Sequence, residues 1–185
     1  MRIIGGTHRG TALASVGKGD ADAHLRPTTD RVRESLFNVL QGGRFSDPIR
    51  GARVLDLFAG TGALGLEALS RGAAHVTFVD NGRVAQKLIG ENIDKLRRQD
   101  DTRLLGVDAS KLPQGAACTL IFLDPPYGQE LGGKALAAAK AAGWIAPEAL
   151  IVWEDSRAQI APPGFVSIDQ RRYGSTWVNF MRAAG

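Results

Sequence analysis

Apolar runs alternate with amphipathic segments along most of the chain. From Arg53 onward, the apolar runs predict strands at 53–59, 75–80, 102–108, 118–124 and 149–154. Segments with apolar residues at helical spacing predict helices at 63–71, 83–98 and 130–142. Several of the strands are apolar on both faces, which is typical of a parallel sheet covered by helices. The last stretch alternates like a hairpin, over 165–173 and 176–181, so the sheet should end in antiparallel strands.

The first part of the chain has a different pattern. Residues 1–27 show little periodicity and contain several glycines, which predicts an arm outside the core, with a short hairpin pairing 2–4 with 11–14. Potential N-caps at 28–30 then introduce a helix, which Gly42 and Gly43 end. We therefore expect an N-terminal arm or hairpin over 1–27 and a single domain over 28–185.

Composition excludes several classes of protein. A chain of 185 residues, 44% hydrophobic and 23% charged, is typical of one globular domain and not of a disordered or coiled-coil protein. No apolar run approaches the roughly 20 residues of a membrane helix, and the start lacks a signal-peptide pattern. The single cysteine, Cys118, excludes a disulfide framework and a cysteine-built zinc site. These features predict a soluble, cytoplasmic protein without a metal, and we expect a monomer.

The charge distribution adds a weaker indication. The formal net charge is +4, and the first fifty residues hold eight basic groups against five acidic ones. Such a balance suits a polyanionic partner, because phosphates attract Arg and Lys. It suits an ordinary solvated surface equally well.

A glycine-rich turn follows the first strand. Gly60 to Gly65 has the form G-x-G-x-x-G, and Asp80 lies twenty residues beyond Gly60 at the end of the second strand. This spacing is typical of a dinucleotide site, in which the acid binds ribose hydroxyls. Asp56, just before the turn, suits a cationic amino-acid group better than a pyrophosphate, which favours S-adenosylmethionine. Asp108, at the end of the third strand, would then accept from the adenine amine, so that three acids line one crevice.

The fourth strand ends in Asp124-Pro-Pro-Tyr127, which predicts the chemistry. Prolines lack backbone N–H groups and fix φ, so the loop offers carbonyl acceptors in fixed positions. Asp124 adds a carboxylate and Tyr127 a flat ring. Together these groups can hold a nucleobase by its exocyclic amine once the base is turned out of its stack. Positioning and electrostatics then suffice for methylation of the amine, without a metal or a covalent intermediate.

Taken together, these motifs resemble the class I S-adenosylmethionine-dependent methyltransferases that modify base amines. More narrowly, the chain resembles the RsmD family in three blocks: Ile3-Ile-Gly-Gly6, Arg26-Pro-Thr-Thr-Asp-Arg-Val-Arg-Glu-Ser-Leu-Phe-Asn38 and Gly62-Ala-Leu-Gly-Leu-Glu-Ala-Leu-Ser-Arg-Gly72. Members of that family methylate N2 of a specific guanine in 16S ribosomal RNA. The resemblance implies a Rossmann-like domain with a mostly parallel seven-stranded sheet, helices on both faces, an antiparallel C-terminal hairpin and a short N-terminal extension.

The resemblance also implies roles for particular residues. Asp124, Pro125, Pro126 and Tyr127 would form the catalytic amine pocket. The cofactor S-adenosylmethionine would bind Asp56, Phe58, Ala59, Gly60, Thr61, Gly62, Asp80, Asn81, Asp108 and Ala109. The 16S rRNA of the small ribosomal subunit, or of its assembly intermediate, would contact Arg9, Lys18, Arg26, Arg31 and Arg33. Acids at 20 and 22 dilute the charge of the arm. Methylation of adenine N6 or cytosine N4, in RNA or DNA, and an NAD(P)-dependent oxidoreductase stay open as alternatives.

Overall fold

The structure, a computed structural model, describes residues 1–16, 28–128 and 130–185. Four α-helices and seven strands are present in these ranges. The helices are α1 (Asp30–Gln41), α2 (Ala63–Ser70), α3 (Arg83–Leu96) and α4 (Leu131–Ala141). The strands are β1 (Arg53–Leu57), β2 (His75–Val79), β3 (Thr102–Leu105), β4 (Cys118–Leu123), β5 (Ile145–Asp155), β6 (Phe165–Tyr173) and β7 (Thr176–Ala183). A 3-10 turn over Gln99–Asp101 precedes β3.

All of the strands belong to one sheet, in the order β3-β2-β1-β4-β5-β7-β6. The first five are mutually parallel, whereas β7 is antiparallel to both β5 and β6. The predicted mixed sheet with its terminal hairpin is therefore confirmed. Strand order reverses between β1 and β4, and open sheets of this kind bind ligands at the carboxyl ends of the strands at that point.

Helices cover the sheet on both faces and enclose two apolar cores. On one face, α1, α2 and α3 pack against β-strand residues such as Phe78 and Phe122. On the other face, α4 packs against residues that include Ile121 and Trp153. Central strands bury both sets of their alternating side chains: every residue of β1 except Arg53 and every residue of β4 except Thr119 is buried. In the described ranges no helix is long and apolar enough to cross a membrane.

The start of the chain is part of the core. The predicted hairpin is confirmed by an antiparallel bridge between Arg2 and Ala12. The expectation that this segment lies outside the core is wrong, because Ile3 is 1% and Leu13 6% exposed within the core on the α1 face. A two-stranded hairpin is at best marginally stable by itself in water, so this one buries its two apolar side chains against the helices. Gly6 permits the contact: at its φ of +80°, a Cβ would lie 1.9 Å from the carbonyl oxygen of Ser70.

A buried carboxylate, Glu67, joins this segment to the helices. Its Oε1 accepts from the backbone N–H of Ile4 at 2.9 Å and from Nε of Arg33 at 3.4 Å. Its Oε2 accepts from the backbone N–H of Gly5 at 3.0 Å and from Nε of Arg71 at 2.9 Å. The carboxylate is therefore paired on every side, as a charge removed from water must be.

Candidate active site

The glycine turn after β1 is tightly wound. Gly60 and Gly62 take φ values of 61° and 82°, which glycine adopts without steric cost. Phe58 also has a positive φ of 57°, which is strained for a bulky side chain. The third glycine of the motif, Gly65, serves packing: a Cβ there would lie 2.5 Å from the ring of Phe78. The turn therefore allows α2 to lie against β2 and directs Phe58 toward the crevice that it lines.

The Asp80 carboxylate joins the glycine turn after β1 to the loop after β2. Its Oδ2 accepts from the backbone N–H of Gly60 at 3.0 Å, and its Oδ1 accepts from that of Gly82 at 2.9 Å. Each carboxylate oxygen has a second lone pair. Asp80 is thus fixed beside the glycine turn, and its carboxylate oxygens can each accept a further hydrogen bond.

A crevice of about 240 Å³ opens beside Asp80. Of the residues predicted to hold the cofactor, five line it, namely Phe58, Asp80, Asn81, Asp108 and Ala109. Asp108 accepts from the backbone N–H and the hydroxyl of Ser110, both at 2.8 Å. The hydrogen bond from the Ser110 N–H lowers the pKa of the Asp108 carboxyl most, and the one from the Ser110 hydroxyl lowers it further, which favours the anionic form. The crevice therefore presents carboxylates, and none of the described residues lining it is Lys or Arg.

The prediction that three acids line one crevice holds for Asp80 and Asp108 but not for Asp56, which is not among the lining residues. It lies within β1, is 1% exposed, and its Oδ2 accepts from the backbone N–H of Gly65 at 3.0 Å. Burial raises the pKa of its carboxyl to about 8, against the hydrogen bond from Gly65, and the charge of Asp80 adds to the rise. Strand alternation turns this side chain beneath the glycine turn, where it binds the first turn of α2.

Four other predicted cofactor residues do not line the crevice, namely Ala59, Gly60, Thr61 and Gly62. The N–H of Ala59 donates to the carbonyl of Val79 at 3.0 Å, and that of Gly62 donates to the carbonyl of Ala59 at 2.8 Å. Thr61 is buried at 6% exposure. Backbone hydrogen bonds therefore hold this turn in place.

The predicted amine pocket follows β4 directly. The backbone N–H of Asp124 donates to the carbonyl of Leu57 at 3.4 Å, so the strand pairing extends one residue into the motif. Asp124 and Tyr127 are half-buried, Pro125 is buried, and Pro126 is exposed at the wall of the crevice. The structure thus brings the Asp124–Tyr127 motif and five of the predicted cofactor residues to one edge of the sheet.

A second cleft, of about 190 Å³, shares Pro126 and Leu131 with the first. It lies on the α4 side of the motif and includes Trp153 and Asp155 of β5 in its wall. Trp153 fits there because Gly132 has no side chain: a Cβ would come within 2.1 Å of the indole ring. The two clefts therefore meet at the second proline of the motif.

The predicted RNA contacts divide into three groups. Arg9 and Arg31 are exposed and available to a partner. Lys18 and Arg26 lie outside the described residues. The prediction that Arg33 contacts RNA is wrong, because its side chain is 0% exposed and forms ion pairs with Asp30 and Glu67.

The helical position of Arg33 explains this error. It falls three residues before Leu36 and four before Phe37, on the buried face of α1. It also donates to the carbonyls of Arg2 and Thr28. Arg33 therefore satisfies backbone acceptors at the start of the chain and beside the helix instead of facing solvent.

Sequence reasoning missed three buried polar residues that support the site. Besides Glu67, Asn92 is fully buried; its Nδ2 donates to the carbonyls of Thr61 and Ala14, which ties the glycine turn to the first segment. Glu154 is 7% exposed, and its Oε2 accepts from the hydroxyl of Thr28 at 2.6 Å. The available signal was a polar residue within an apolar stripe, as at Asn92 among the buried residues of α3.

No cluster of three or more potential His, Cys, Asp or Glu metal ligands occurs within residues 1–16, 28–128 and 130–185.

The seven-stranded sheet, the glycine turn, the crevice and the Asp124–Tyr127 loop define a Rossmann-like class I methyltransferase. The comparisons with known proteins agree. A family model described as "Conserved hypothetical protein 95" matches residues 1–182. The chain belongs to this family, which is the RsmD family that the sequence resembles.

Two curated relatives and one solved structure illustrate the similarity. Ribosomal RNA small subunit methyltransferase D of Escherichia coli K12 is 39% identical over 156 residues, which is 83% of this chain and 74% of the relative. The protein of the same name from Haemophilus influenzae is 33% identical over 94% of this chain and 89% of its own length. The structure of yhhF from E. coli superposes with a TM-score of 0.83 at 34% identity, over 100% of this chain and 98% of that chain.

Proposed function

We propose that the protein transfers a methyl group from S-adenosylmethionine to the exocyclic N2 of a guanine in 16S ribosomal RNA of the small subunit. The observation that carries this proposal is the placement of the Asp124–Tyr127 loop at the end of β4, with Pro126 in the wall of the crevice. The relatives named ribosomal RNA small subunit methyltransferase D support the RNA substrate.

The residues of the crevice fit S-adenosylmethionine. Asp80 would accept from the ribose hydroxyls, and Asp108 and the backbone around Ala109 would contact the adenine. Phe58 and the glycine turn would enclose the methionine part, with Asp56 acting behind the turn. When bound, S-adenosylmethionine supplies an activated methyl group on its sulfonium. Anionic side chains suit this cationic ligand, whereas a dinucleotide pyrophosphate would find no Lys or Arg among the described lining residues.

The amine pocket would act by orienting the base. Asp124 accepts a hydrogen bond from one N2–H and a proline carbonyl accepts one from the other, while the ring of Tyr127 packs against the base. These hydrogen bonds direct the nitrogen lone pair, which the aromatic ring otherwise delocalises, toward the methyl group. Asp124, already hydrogen-bonded to the amine, also accepts the proton that the nitrogen releases.

The RNA would approach over the first segment and α1. Arg9 and Arg31 are exposed there and would contact phosphates. Lys18 and Arg26 belong to the same proposal through the sequence alone. The small subunit or its assembly intermediate is the proposed partner.

Two alternatives predict different results. A methyltransferase of adenine N6 or cytosine N4 would use the same Asp124 pocket but would mark a different base. An NAD(P)-dependent oxidoreductase would be stabilised against heat by NADH, whereas the proposed enzyme would be stabilised by S-adenosylhomocysteine, since a ligand of the native state raises its melting temperature. Membership of the RsmD family opposes this second alternative.

The test is transfer of a radiolabelled methyl group from S-adenosylmethionine to small ribosomal subunits that lack the modification. Free 16S RNA and duplex DNA serve as parallel acceptors, and nuclease digestion identifies the labelled base. We expect N2-methylguanine in the subunit RNA. Label on adenine or cytosine, or in DNA alone, would overturn the proposed substrate.

A variant pair tests the role of Asp124. Asp124→Ala should lose turnover while it retains S-adenosylhomocysteine binding by calorimetry, because the crevice is intact. Asp100→Ala, an exposed residue of the 3-10 turn, is the matched control and should keep full activity. Methylation by Asp124→Ala at the control's rate would contradict the assigned pocket.

A further inference from the structure

We propose that Glu154 selects guanine by accepting a hydrogen bond from the ring N1–H beside the amine that is methylated. This inference rests on the proposed function, because it concerns the base that Asp124 holds. It assigns a specificity-determining role to a residue of β5 that no motif of the sequence marks.

Sheet register places Glu154 beside Asp124. The parallel strands β4 and β5 pair up to Leu123 and Trp153. Asp124 and Glu154 are the next residues along, and the hydrogen bond from the Asp124 N–H to β1 keeps β4 in register at this point. Neighbouring strands are about 5 Å apart. Two carboxylates of the catalytic edge therefore stand next to each other, one on each strand.

Strand alternation assigns both residues to the α1 face of the sheet. Residues two apart in a strand share a face, and Phe122 and Val152, two positions earlier, lie in the core beneath α1. The Glu154 side chain is observed on this side, since the hydroxyl of Thr28, just before α1, donates to its Oε2 at 2.6 Å. Trp153, which lines the second cleft, lies on the opposite face with the α4 core.

Guanine matches this pair of acids. The amine N2 is adjacent to N1–H, so that this edge of guanine offers a row of N–H donors. In adenine and cytosine the ring nitrogen adjacent to the amine is an acceptor. With the amine on Asp124, the neighbouring ring position falls beside Glu154. Its carboxylate accepts from N1–H but repels a ring lone pair.

Burial makes this discrimination strong. Glu154 is only 7% exposed, and Thr28 fixes one of its oxygens. Electrostatic interactions increase where water is excluded, and a charged group left facing an acceptor there is costly. A site built to hydrogen-bond one group of its substrate rejects analogues that lack it. Asp124 would thus hold any amine-bearing base, and Glu154 would choose among them.

The test replaces the target guanine by 2,6-diaminopurine, which keeps the N2 amine but has a lone pair at N1. Small subunits are assembled with 16S RNA carrying either base, and kcat/KM for methyl transfer is compared. We expect the unaltered protein to prefer guanine about 10- to 100-fold. Glu154→Gln should raise the ratio of kcat/KM for diaminopurine to kcat/KM for guanine at least about tenfold, because the amide can donate to N1.

Glu148→Gln is the matched control, since it makes the same change at the exposed far end of β5 and should leave the ratio unaltered. Binding of S-adenosylhomocysteine and the melting temperature of Glu154→Gln verify the fold. Equal use of both bases by the unaltered protein would overturn the proposal without any variant. A ratio that changes with Asp155→Asn and not with Glu154→Gln would also overturn it, because the base would then lie on the α4 face. Absence of guanine methylation by the unaltered protein would instead refute the proposed function itself.

Discussion

Replacement of Glu67 by Gln tests whether one buried carboxylate holds the first segment in place. Each of its oxygens accepts from one backbone N–H and one arginine: Oε1 from Ile4 and Arg33, and Oε2 from Gly5 and Arg71. In glutamine one of these oxygens becomes an NH₂ group, which donates instead of accepting. Whichever way the amide is oriented, one backbone N–H and one arginine lose their acceptor.

The cost follows from burial. Glu67 and Arg33 have side chains that are 0% exposed. An unpaired buried donor costs about 1–3 kcal/mol, and breaking a buried ion pair costs about 3–5 kcal/mol. We expect Glu67→Gln to lower the free energy of unfolding by about 3–5 kcal/mol. For a protein of this size that corresponds to a decrease in melting temperature of about 6–20 °C.

Urea and thermal unfolding at neutral pH measure this change, and amide hydrogen exchange at Ile4 and Gly5 locates it. Glu34→Gln, an exposed site on α1, is the control and should change stability by less than about 0.5 kcal/mol. A loss of less than about 1 kcal/mol in Glu67→Gln, with Ile4 and Gly5 still protected, would refute the reasoning. The first segment would then be held by its apolar side chains and by its other hydrogen bonds, such as those between Asn92 and Ala14.

Three further predictions concern Gly6, Asp56 and the two exposed arginines. Gly6→Ala should lower the free energy of unfolding, measured in urea, clearly more than Gly10→Ala. Both glycines have a positive φ, which costs another residue about 1–2 kcal/mol, but only at Gly6 would the Cβ meet a backbone carbonyl, at 1.9 Å. Equal effects of the two substitutions would contradict this contact. The pKa of Asp56, raised from 3.8 to about 8, gives the folded protein a proton that the unfolded chain releases. Its contribution to stability is therefore full below pH about 4 and is lost as the pH rises toward 8. In Asp56→Asn the free energy of unfolding should depend less on pH between these values. An unchanged pH profile would contradict the raised pKa. Arg9→Ala and Arg31→Ala should each weaken RNA binding and reduce its salt-dependence slope by about one, measured by titration at several salt concentrations, and an unchanged slope would exclude a phosphate contact.

The sequence by itself determined the elements of the domain and their order. Apolar runs and helical spacing placed the strands and helices to within a few residues, because each element's period shows directly in its side chains. The longest deviation is β5, which begins at Ile145 instead of at 149. The glycine turn, Asp80, Asp108 and the Asp124–Tyr127 loop were also predictable, because strand ends in a parallel sheet meet at one edge.

Tertiary structure decided which polar groups face a ligand and which face the core. Asp56 and Asp80 look equivalent in sequence, yet strand alternation buries the first beneath the turn and places the second in the crevice wall. Arg33 looks like a surface charge until the chain start packs over it. Glu154 and Asp124 are thirty residues apart and become neighbours only through the β4–β5 register. Such pairings arise from packing between distant segments, and the periodicity of one segment contains no information about them.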